Sequence, residues 1–207
     1  MSIDRRRFIG GLGLGAAGLA VPSVLSAPTA FAAVRPDAEP PLLDAARAAL
    51  AAHGARIPHR DRLGLVDFSA PSGSARFRIV DIGNGRVLAN WLVAHGRGSD
   101  PANTGVLQRF SNRPGSNASS SGSFLIGETY MGKYGRSRRL HGLDPENDMA
   151  LACAIVIHSA DYFREDMARH AGRVGRSLGC FTVSHADIAE VLALLGPGRL
   201  LYAARQT

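Results

Sequence analysis

The spacing of hydrophobic positions predicts a short helix ahead of the main folded region. Leu43, Ala46 and Leu50 recur at helical spacing, so they fall on one face of that helix. The polar stretch after the helix has no clear period and predicts a linker. We interpret residues 33–63 as an N-terminal helix with its linker, and residues 64–207 as one folded domain.

The next part of the chain predicts strands joined by turns. Residues 76–82 and 86–94 are strand-like runs, and the Gly-Asn-Gly sequence between them is typical of a hairpin. Residues 152–158 are apolar up to the last position, as in a buried strand. The serine-rich residues 110–124 favour an exposed loop, although their short donors and acceptors also suit a ligand.

The C-terminal part predicts a helix that packs on the sheet, followed by a last strand. Ser184 and Asp187 form a capping-box pattern. Apolar residues at positions i, i+3, i+4 and i+7 follow, from Ile188 to Leu195. A Gly-Pro-Gly sequence ends this helix, and residues 199–203 then predict the final strand. Together these segments predict a mainly β domain with a few helices.

The first 32 residues have the order of an export signal. Three arginines precede Phe8 and an apolar run rich in Gly and Ala, and Ala30-Phe31-Ala32 supplies a cleavage site. The paired arginines resemble the twin-arginine type, which the Tat machinery exports. We therefore predict that residues 1–32 are a signal peptide, that no stable membrane anchor remains after cleavage, and that the protein is located in the periplasm or cell envelope. A membrane anchor and a chance run of arginines are the alternatives.

Charge and cysteine content restrict the classes of partner. The net charge is +7, and the predicted signal accounts for +2 of it, which leaves +5 on the mature chain. A basic exported protein meets acidic envelope polymers, and the sequence lacks the aromatic and basic pattern of nucleic-acid modules, so we expect no nucleic-acid partner. Two cysteines exclude a disulfide-dense scaffold and a four-cysteine zinc site.

His158 and Cys180 are the candidate chemical groups. His158 ends the apolar strand, and Cys180 follows a turn that contains Gly175 and Gly179. A thiolate is a good nucleophile, and an adjacent imidazolium lowers a thiol pKa from about 8.5 to about 3.5–7.5. Gly179 permits a tight turn that aims N–H groups at a developing oxyanion.

Three other interpretations of these residues stay open. The pair can be a strand-end histidine and a small buried cysteine without chemistry. Cys153 and Cys180 can form a disulfide in an oxidising compartment, although strand alternation places Cys153 on the face opposite His158. The third interpretation is a metal hydrolase. The sequence argues against it, because the histidines are scattered and His158 with Asp161 supplies two ligands at most. We expect no metal and no organic cofactor.

Two segments resemble the catalytic signature of murein L,D-transpeptidases. They are residues 156–162, which contain His158, and residues 175–180, which carry the S-x-G-C motif of one subgroup of that family. The resemblance covers about residues 64–204. Upstream segments that agree with the subgroup are Val66-Asp67-Phe68-Ser69, Val93-Ala94-His95-Gly96, Phe110-Ser111-Asn112, Ser119-Ser120-Ser121-Gly122, Gly127-Glu128-Thr129-Tyr130, Tyr134-Gly135 and Leu140-His141-Gly142-Leu143.

The resemblance implies an L,D-transpeptidase-like β-sandwich or mixed-sheet fold, mostly antiparallel, and an enzyme whose partners are peptidoglycan stem peptides. In such enzymes a thiolate attacks the L-centred third residue of a stem tetrapeptide and releases the terminal D-alanine. An amine of a neighbouring stem resolves the thioester to a 3→3 crosslink, and water in its place gives L,D-carboxypeptidase activity. A non-catalytic peptidoglycan-binding module and a cell-wall metallo-peptidase stay open as alternatives.

The resemblance also implies roles for five residues at the centre of the site. Cys180 is the nucleophile and His158 is the general base. The backbone carbonyl of Ser159 holds the imidazole tautomer. The N–H groups of Gly179 and Cys180 form the oxyanion hole, and Ser177 shapes the turn.

Further expectations concern the substrate and two departures from the family pattern. Tyr130 and the serines around Ser120 line the donor-peptide groove, and Arg176 binds a stem-peptide carboxylate. Leu178 stands where the better-known subgroup has His, so the role of the base rests on the single strand-end histidine. Phe181 stands where the close subgroup has Pro, and we expect it to add bulk near the nucleophile.

Overall fold

The computed structural model describes residues 39–206, so the signal predicted for residues 1–32 lies outside the described residues. The described residues form a mainly β fold with three α-helices and a short 3-10 turn. In chain order the elements are α1 (Leu43–Ala52), the 3-10 turn (Gly54–Arg56), β1 (Arg62–Asp67), β2 (Phe77–Asp81), β3 (Val87–Trp91), β4 (Gly122–Gly132), β5 (Gly135–Gly142), β6 (Val156–Ser159), α2 (Glu165–Ala171), β7 (Phe181–Val183), α3 (Ile188–Leu194) and β8 (Leu200–Ala204).

The strands of the described residues belong to a single eight-stranded sheet, with the order β3-β2-β1-β8-β4-β5-β6-β7. Most neighbouring strands are antiparallel, and two pairs, β1 with β8 and β6 with β7, are parallel. The last strand, β8, therefore lies in the middle of the sheet. The predicted fold class is confirmed, and of its two forms the described residues adopt the mixed sheet.

The sheet is rolled, so that the chain leaving one edge strand reaches the other edge strand. After β3 the chain runs along β7, where the Ala94 N–H donates to the Thr182 carbonyl (2.8 Å). Slightly further on, the Ser177 N–H donates to the His95 carbonyl (2.9 Å). The roll encloses the larger hydrophobic cluster, which contains side chains from the strands and from α3. Burial of this apolar surface is the main driving force for closure.

Helix α1 packs on the outer side of the rolled sheet. Leu43, Ala46 and Leu50 are its buried residues, which confirms the predicted helical face. They join Leu63 of β1 and Leu200 of β8 in a second hydrophobic cluster. The helix therefore has a hydrophobic contact with the two central strands.

The C-terminal predictions are also confirmed. The Ser184 hydroxyl accepts the Asp187 N–H (3.1 Å) and donates to its carboxylate (2.7 Å), so the predicted pair forms, but it closes the turn that leads into α3 and makes no side-chain cap on the helix itself. Val191 and Leu192 of this helix are buried. Helix α2 and the hairpin of β4 and β5 have no counterpart in the periodicity. Among the helices of residues 39–206, none is both long and apolar enough to cross a membrane.

Strand β6 is shorter than the apolar run predicts. Residues 151–154 form turns, and the strand begins only at Val156. Ala154 has a left-handed backbone with φ 53°, which interrupts the alternation of side chains. The prediction that Cys153 faces away from His158 by strand alternation was therefore wrong in its premise, because Cys153 lies outside the strand.

Candidate active site

The imidazole of His158 lies where β6 and β7 run side by side. His158 is paired with Thr182, while the adjacent residues Ile157 and Phe181 belong to the enclosed hydrophobic cluster. By alternation, the side chains of His158 and Thr182 lie on the outer side of the sheet. His158 is nevertheless buried, and the ring of Tyr134, from the turn between β4 and β5, stacks on it with 4.7 Å between centroids.

Hydrogen bonds fix the tautomer of His158. Its Nδ1 lies 2.9 Å from the carbonyl oxygen of Ser159. Because a carbonyl oxygen only accepts, Nδ1 carries the proton and Nε2 carries the lone pair. Nε2 lies 3.2 Å from the Thr182 hydroxyl and 3.4 Å from the Tyr162 hydroxyl. Burial lowers the pKa of His158, which favours the neutral imidazole.

Cys180 lies directly before β7 and is half-buried. Its thiol donates to the Ala154 carbonyl at 3.5 Å, and within residues 39–206 no hydrogen bond joins its sulfur to His158. Burial raises the pKa of the thiol, and the Val156 N–H partly offsets this effect. The expected lowering of the thiol pKa is therefore not found. The resting site holds a neutral thiol and a neutral imidazole.

Ser177 and Gly179 shape the turn of residues 177–180, called here the Cys180 turn. The Ser177 hydroxyl accepts the Gly179 N–H (3.1 Å) and donates to the Cys180 carbonyl (2.7 Å). Gly179 has φ 120°, and a Cβ there would lie 2.8 Å from both the Ala118 carbonyl oxygen and Ile155 Cδ1. A side chain does not fit at this position, so the S-x-G-C spacing has a structural reason.

The two N–H groups expected to bind an oxyanion are in different situations. The Gly179 N–H is already bonded to the Ser177 hydroxyl. The Cys180 N–H forms no hydrogen bond with any of the described residues. The Cys180 N–H is therefore the donor that is free to receive a new acceptor.

A buried polar network lies behind the Cys180 turn. The His95 carbonyl accepts the Ser177 N–H, and its ring lies between Arg76 Nη2 (2.9 Å from Nδ1) and Asp100 Oδ2 (3.5 Å from Nε2). The three side chains are fully buried. Burial, assisted by the Arg76 charge, lowers the pKa of His95 to about 4. The sequence predicts no role for His95, and the Val-Ala-His-Gly segment is its only signal there.

A cavity of about 270 Å³ adjoins the Cys180 turn. Ala118 and Ile155 line the cavity and also flank Gly179. Leu178 lines it from within the turn and is 59% exposed. The cavity therefore opens beside the residues that precede Cys180, and Cys180 does not itself form its wall.

The serine-rich loop forms one wall of this cavity, although its composition favoured a simple exposed loop. Ser120 is buried and contributes a side chain that makes no hydrogen bond with another described residue. Cys153 lines the cavity as well. Both cysteines are free, so the alternative of a Cys153–Cys180 disulfide is not realised.

Two residues expected to contact substrate do not line this cavity. Tyr130 lies on β4, where the guanidinium of Arg139 covers its ring at 4.4 Å from the centroid. Arg176 donates from Nη1 to the carbonyls of Asp100 and Pro101, so its charge is turned toward that loop. Of the three predicted substrate residues, only the buried serine lies in the cavity.

The two residues that depart from the subgroup pattern lie in different environments, one buried and one exposed. Phe181 is fully buried, and its ring packs against Phe68 (6.0 Å between centroids) and Phe124 (5.4 Å). It therefore adds bulk to the hydrophobic cluster, and the expectation of bulk near Cys180 was wrong. Leu178 is exposed at the cavity, where its apolar side chain takes no part in proton transfer.

The residues considered as metal ligands have other partners. Asp161 contacts His185, with 2.9 Å between Oδ1 and Nε2. Nδ1 of His158 is bonded to the Ser159 carbonyl. Within the part of the chain that the structure describes, no group of three or more His, Cys, Asp or Glu side chains is arranged to hold a metal ion.

Solved structures similar to this chain are L,D-transpeptidases at low sequence identity. The enzyme from Mycobacterium smegmatis is 14% identical, with a TM-score of 0.42, over 71% of this chain and 59% of that chain. L,D-transpeptidase 1 from Mycobacterium tuberculosis is 14% identical, with a TM-score of 0.39, over 70% of this chain and 62% of that one. The enzyme from Xylanimonas cellulosilytica is 15% identical, with a TM-score of 0.42, over 76% and 68%.

The chain thus spans about three fifths of the length of these mycobacterial enzymes. No curated relative matches it. The sequence profile of the L,D-transpeptidase catalytic domain matches residues 35–204, a range that includes α1, the sheet, His158 and Cys180. Because this match spans most of the sequence, the chain belongs to the L,D-transpeptidase catalytic domain family.

Proposed function

We propose that this chain is a cysteine L,D-transpeptidase that acts on peptidoglycan stem peptides through a thioester on Cys180. Membership of the family supports the reaction class. The observation that carries the proposal is the orientation of His158, whose Nδ1 is held by the Ser159 carbonyl. Its basic Nε2 is thereby directed to the neighbouring strand, β7, which Cys180 precedes. A histidine held in this way suits the removal of a thiol proton.

The proposed reaction has two displacements. Cys180 Sγ attacks the carbonyl of the third, L-centred residue of a stem tetrapeptide, and His158 receives the thiol proton. The C–N bond to the terminal D-alanine then breaks, and the imidazolium returns the proton to the leaving amine. In the second step an amine of another stem, or water, attacks the thioester and gives a proton to His158; the C–S bond breaks, and the imidazolium returns that proton to the sulfur, which restores the thiol.

The electrostatics of the site determine when the proton moves. Because burial raises the pKa of Cys180 and lowers that of His158, the resting pair is neutral. The proton therefore leaves the sulfur as the attack proceeds. The Cys180 N–H is available to stabilise the resulting oxyanion, while Ser177 keeps the turn in place.

We assign the donor peptide to the cavity beside the Cys180 turn. Ser120 offers a hydroxyl without a side-chain partner among the described residues, and Arg113 brings a positive charge to the cavity wall. Stem peptides carry carboxylates, which an exposed guanidinium binds. Tyr130 and Arg176 lie outside this cavity, so we give them no first contact with the donor.

We also propose that the protein works in the periplasm or cell envelope. The arginine-led signal in residues 1–32 supports export by the Tat machinery, and peptidoglycan is the polymer found in that compartment. The proposed chemistry uses a thiol, an imidazole and a backbone N–H, so it requires neither a metal nor an organic cofactor.

The test is incubation of the purified protein with a synthetic stem tetrapeptide, followed by intact-mass and peptide mapping. We expect a tripeptide acyl adduct on Cys180 and release of D-alanine. Cys180→Ala should give neither product. Cys153→Ala, which removes the other cysteine of the chain, should still give the adduct.

Other outcomes point to the alternative functions. Absence of both adduct and D-alanine from folded protein contradicts the proposal. A Cys180→Ala protein that binds peptidoglycan unchanged, in a strain whose muropeptides are also unchanged, indicates a non-catalytic binding module. Activity that is lost to chelators and insensitive to thiol alkylation indicates a metallo-peptidase.

A further inference from the structure

The peptide bond between Gly179 and Cys180 carries the N–H group that is free to receive a new acceptor. The carbonyl of the same peptide bond accepts a hydrogen bond from the Ser119 hydroxyl at 3.1 Å. Among the residues that the structure describes, no other group bonds to this peptide unit. The Ser177 hydroxyl bonds the two flanking peptide units of the turn and not this one. The orientation of the Gly179–Cys180 peptide therefore depends on Ser119.

The direction of the Gly179 carbonyl fixes the direction of the Cys180 N–H. A trans peptide bond points its C=O and its N–H to opposite sides. Because the carbonyl points to the buried Ser119 hydroxyl, the Cys180 N–H points away from it. Gly179 has no Cβ to hinder rotation of this peptide unit. Such a rotation would exchange the two groups and present a carbonyl oxygen where the oxyanion develops.

The Ser119 side chain is itself held in one orientation. Its hydroxyl accepts the Gly96 N–H (3.0 Å) and donates to the Gly179 carbonyl, since a backbone N–H only donates and a carbonyl only accepts. The Ser119 N–H donates to the Ser99 hydroxyl (2.9 Å), and its carbonyl accepts the Ser111 N–H (3.0 Å). The residue is 1% exposed and does not line the cavity. Ser119 is therefore a fixed internal donor.

These contacts form a directed chain of hydrogen bonds that ends at the Cys180 N–H. The chain runs from the Gly96 N–H through the Ser119 hydroxyl to the Gly179 carbonyl. A Cβ on Gly96 would lie 2.8 Å from the Gly179 nitrogen, so the two segments are in close contact. Hydrogen bonds in a chain polarise one another. The bond to the Gly179 carbonyl therefore strengthens the N–H of the same peptide as a donor.

We propose that Ser119 is a positioning residue, which holds the Gly179–Cys180 peptide so that the Cys180 N–H faces the developing oxyanion. The inference rests on the proposed role of Cys180 as the nucleophile. The Ser119 hydroxyl is bonded to backbone groups alone and acts through this peptide bond. It therefore promotes a reaction of the thiol in which an oxyanion forms, and it does not affect a reaction in which none forms.

The test compares two reactions of Cys180 in the purified protein, with peptide mapping to separate it from Cys153. In acylation by p-nitrophenyl acetate, the sulfur attacks the ester carbonyl and an oxyanion forms before p-nitrophenolate leaves. In alkylation by iodoacetamide, the sulfur displaces iodide at a saturated carbon and no oxyanion forms. Ser119→Ala should slow acylation at least about ten-fold, because the oxyanion loses a directed donor. It should leave alkylation at the wild-type rate.

Ser72→Ala is the matched control for loss of a buried serine hydroxyl. Ser72 accepts the Val174 N–H away from the Cys180 turn, so this variant should keep both rates. Ser119→Cys is a second variant, which nearly preserves the size of the side chain and offers only a weak donor. Its acylation rate should lie between those of the wild type and Ser119→Ala.

The ratio of acylation to alkylation decides the proposal. A folded Ser119→Ala protein in which both rates fall in proportion, or in which neither falls, overturns it. If Ser119→Ala does not fold, Ser119→Cys decides, and a ratio equal to that of the wild type then overturns the proposal.

No stem peptide is present in this experiment, so its result is separate from the test of function. A selective loss of acylation in Ser119→Ala, together with no tripeptide adduct on the wild-type protein, would retain the role of Ser119 and reject the proposed substrate. A tripeptide adduct without a selective loss would retain the substrate and reject the role of Ser119.

Discussion

The Ser177 side chain stabilises the Cys180 turn through hydrogen bonds within the turn. Its side chain is buried, and its one hydroxyl serves both the Gly179 N–H and the Cys180 carbonyl. A buried polar group left without a partner costs about 1–3 kcal/mol. The position of the thiol therefore depends on a residue that takes no part in the proposed bond changes.

Ser177→Ala should lower the free energy of unfolding by about 1–3 kcal/mol, since both partners of the hydroxyl are left unpaired. It should also slow alkylation of Cys180, because the turn loses its internal bond. Urea unfolding and iodoacetamide kinetics measure the two effects.

Ser72→Ala is the control for that substitution. Ser72 is also buried, and its hydroxyl accepts the Val174 N–H (3.2 Å) away from Cys180. We expect this variant to lose stability and to keep the alkylation rate. Equal slowing in both variants would show that the Ser177 hydroxyl has no local effect on the thiol.

The residues of the site differ in how far sequence alone can identify them. Cys180, His158 and Ser159 lie in contiguous segments that resemble the family signature, so this resemblance selects them as candidates. Tyr162 and Thr182 lie in the same segments, but their approach depends on the register of β6 with β7, which local pattern does not determine. Local pattern does not determine the pKa of Cys180 either, because the burial that keeps its thiol protonated arises only on folding.

At the scale of elements, the parallel pairing of β6 and β7 explains how the two motif segments meet. Parallel neighbours need a long crossover connection. Here the crossover contains α2 and ends in the Cys180 turn, which returns the chain beside His158. The apolar run predicts β6, but β7 has only three residues, too few for a periodic signal.

A substitution in helix α1 tests whether the second hydrophobic cluster and the candidate active site are independent of each other. Leu43 is 1% exposed and packs with the central strands on the outer side. Leu43→Ala should therefore cost about 2–5 kcal/mol through lost burial and a residual cavity. The alkylation rate of folded protein should stay at the wild-type value, because neither β6 nor β7 contributes to this cluster.

Leu88→Ala is the comparison, since Leu88 on β3 is 37% exposed. This variant should change stability by no more than about 0.5 kcal/mol. Urea unfolding of both variants checks the contrast. A Leu43→Ala protein that is as stable as the Leu88→Ala protein would contradict the packing of α1 on the sheet.

For the whole molecule, closure of the rolled sheet places charged groups in the interior. The segment after β3 must reach β7, and it carries His95 to the back of the Cys180 turn. Arg76 and Asp100 are buried on either side of that ring. Hydrophobic pattern predicts the strands and the helices, but it does not indicate which polar residues closure will bury. Folding and site geometry are therefore coupled through this network.

This coupling predicts a loss of stability in mild acid. His95 has an ordinary pKa of 6.5 and a folded pKa of about 4, because of burial and then of the Arg76 charge. Between these values the unfolded chain binds the additional proton, so stability is complete above pH 6.5 and falls as the pH drops toward 4. At about 1.4 kcal/mol per pKa unit, the loss is about 3 kcal/mol. His158, whose pKa burial also lowers, acts in the same direction.

Urea unfolding at a series of pH values measures this slope. His95→Gln keeps an acceptor for Arg76 but cannot be protonated, so it should be less stable than the wild type at neutral pH and show a flatter profile in mild acid. His170→Gln, on the exposed surface of α2, should keep the full slope. The buried carboxylate of Asp100, whose pKa is lowered, loses its contribution only below this window, so the two titrations separate. A wild-type stability that is flat from pH 6.5 to 4, or a His95→Gln profile as steep as the wild type, would show that His95 is not a buried neutral part of the closure.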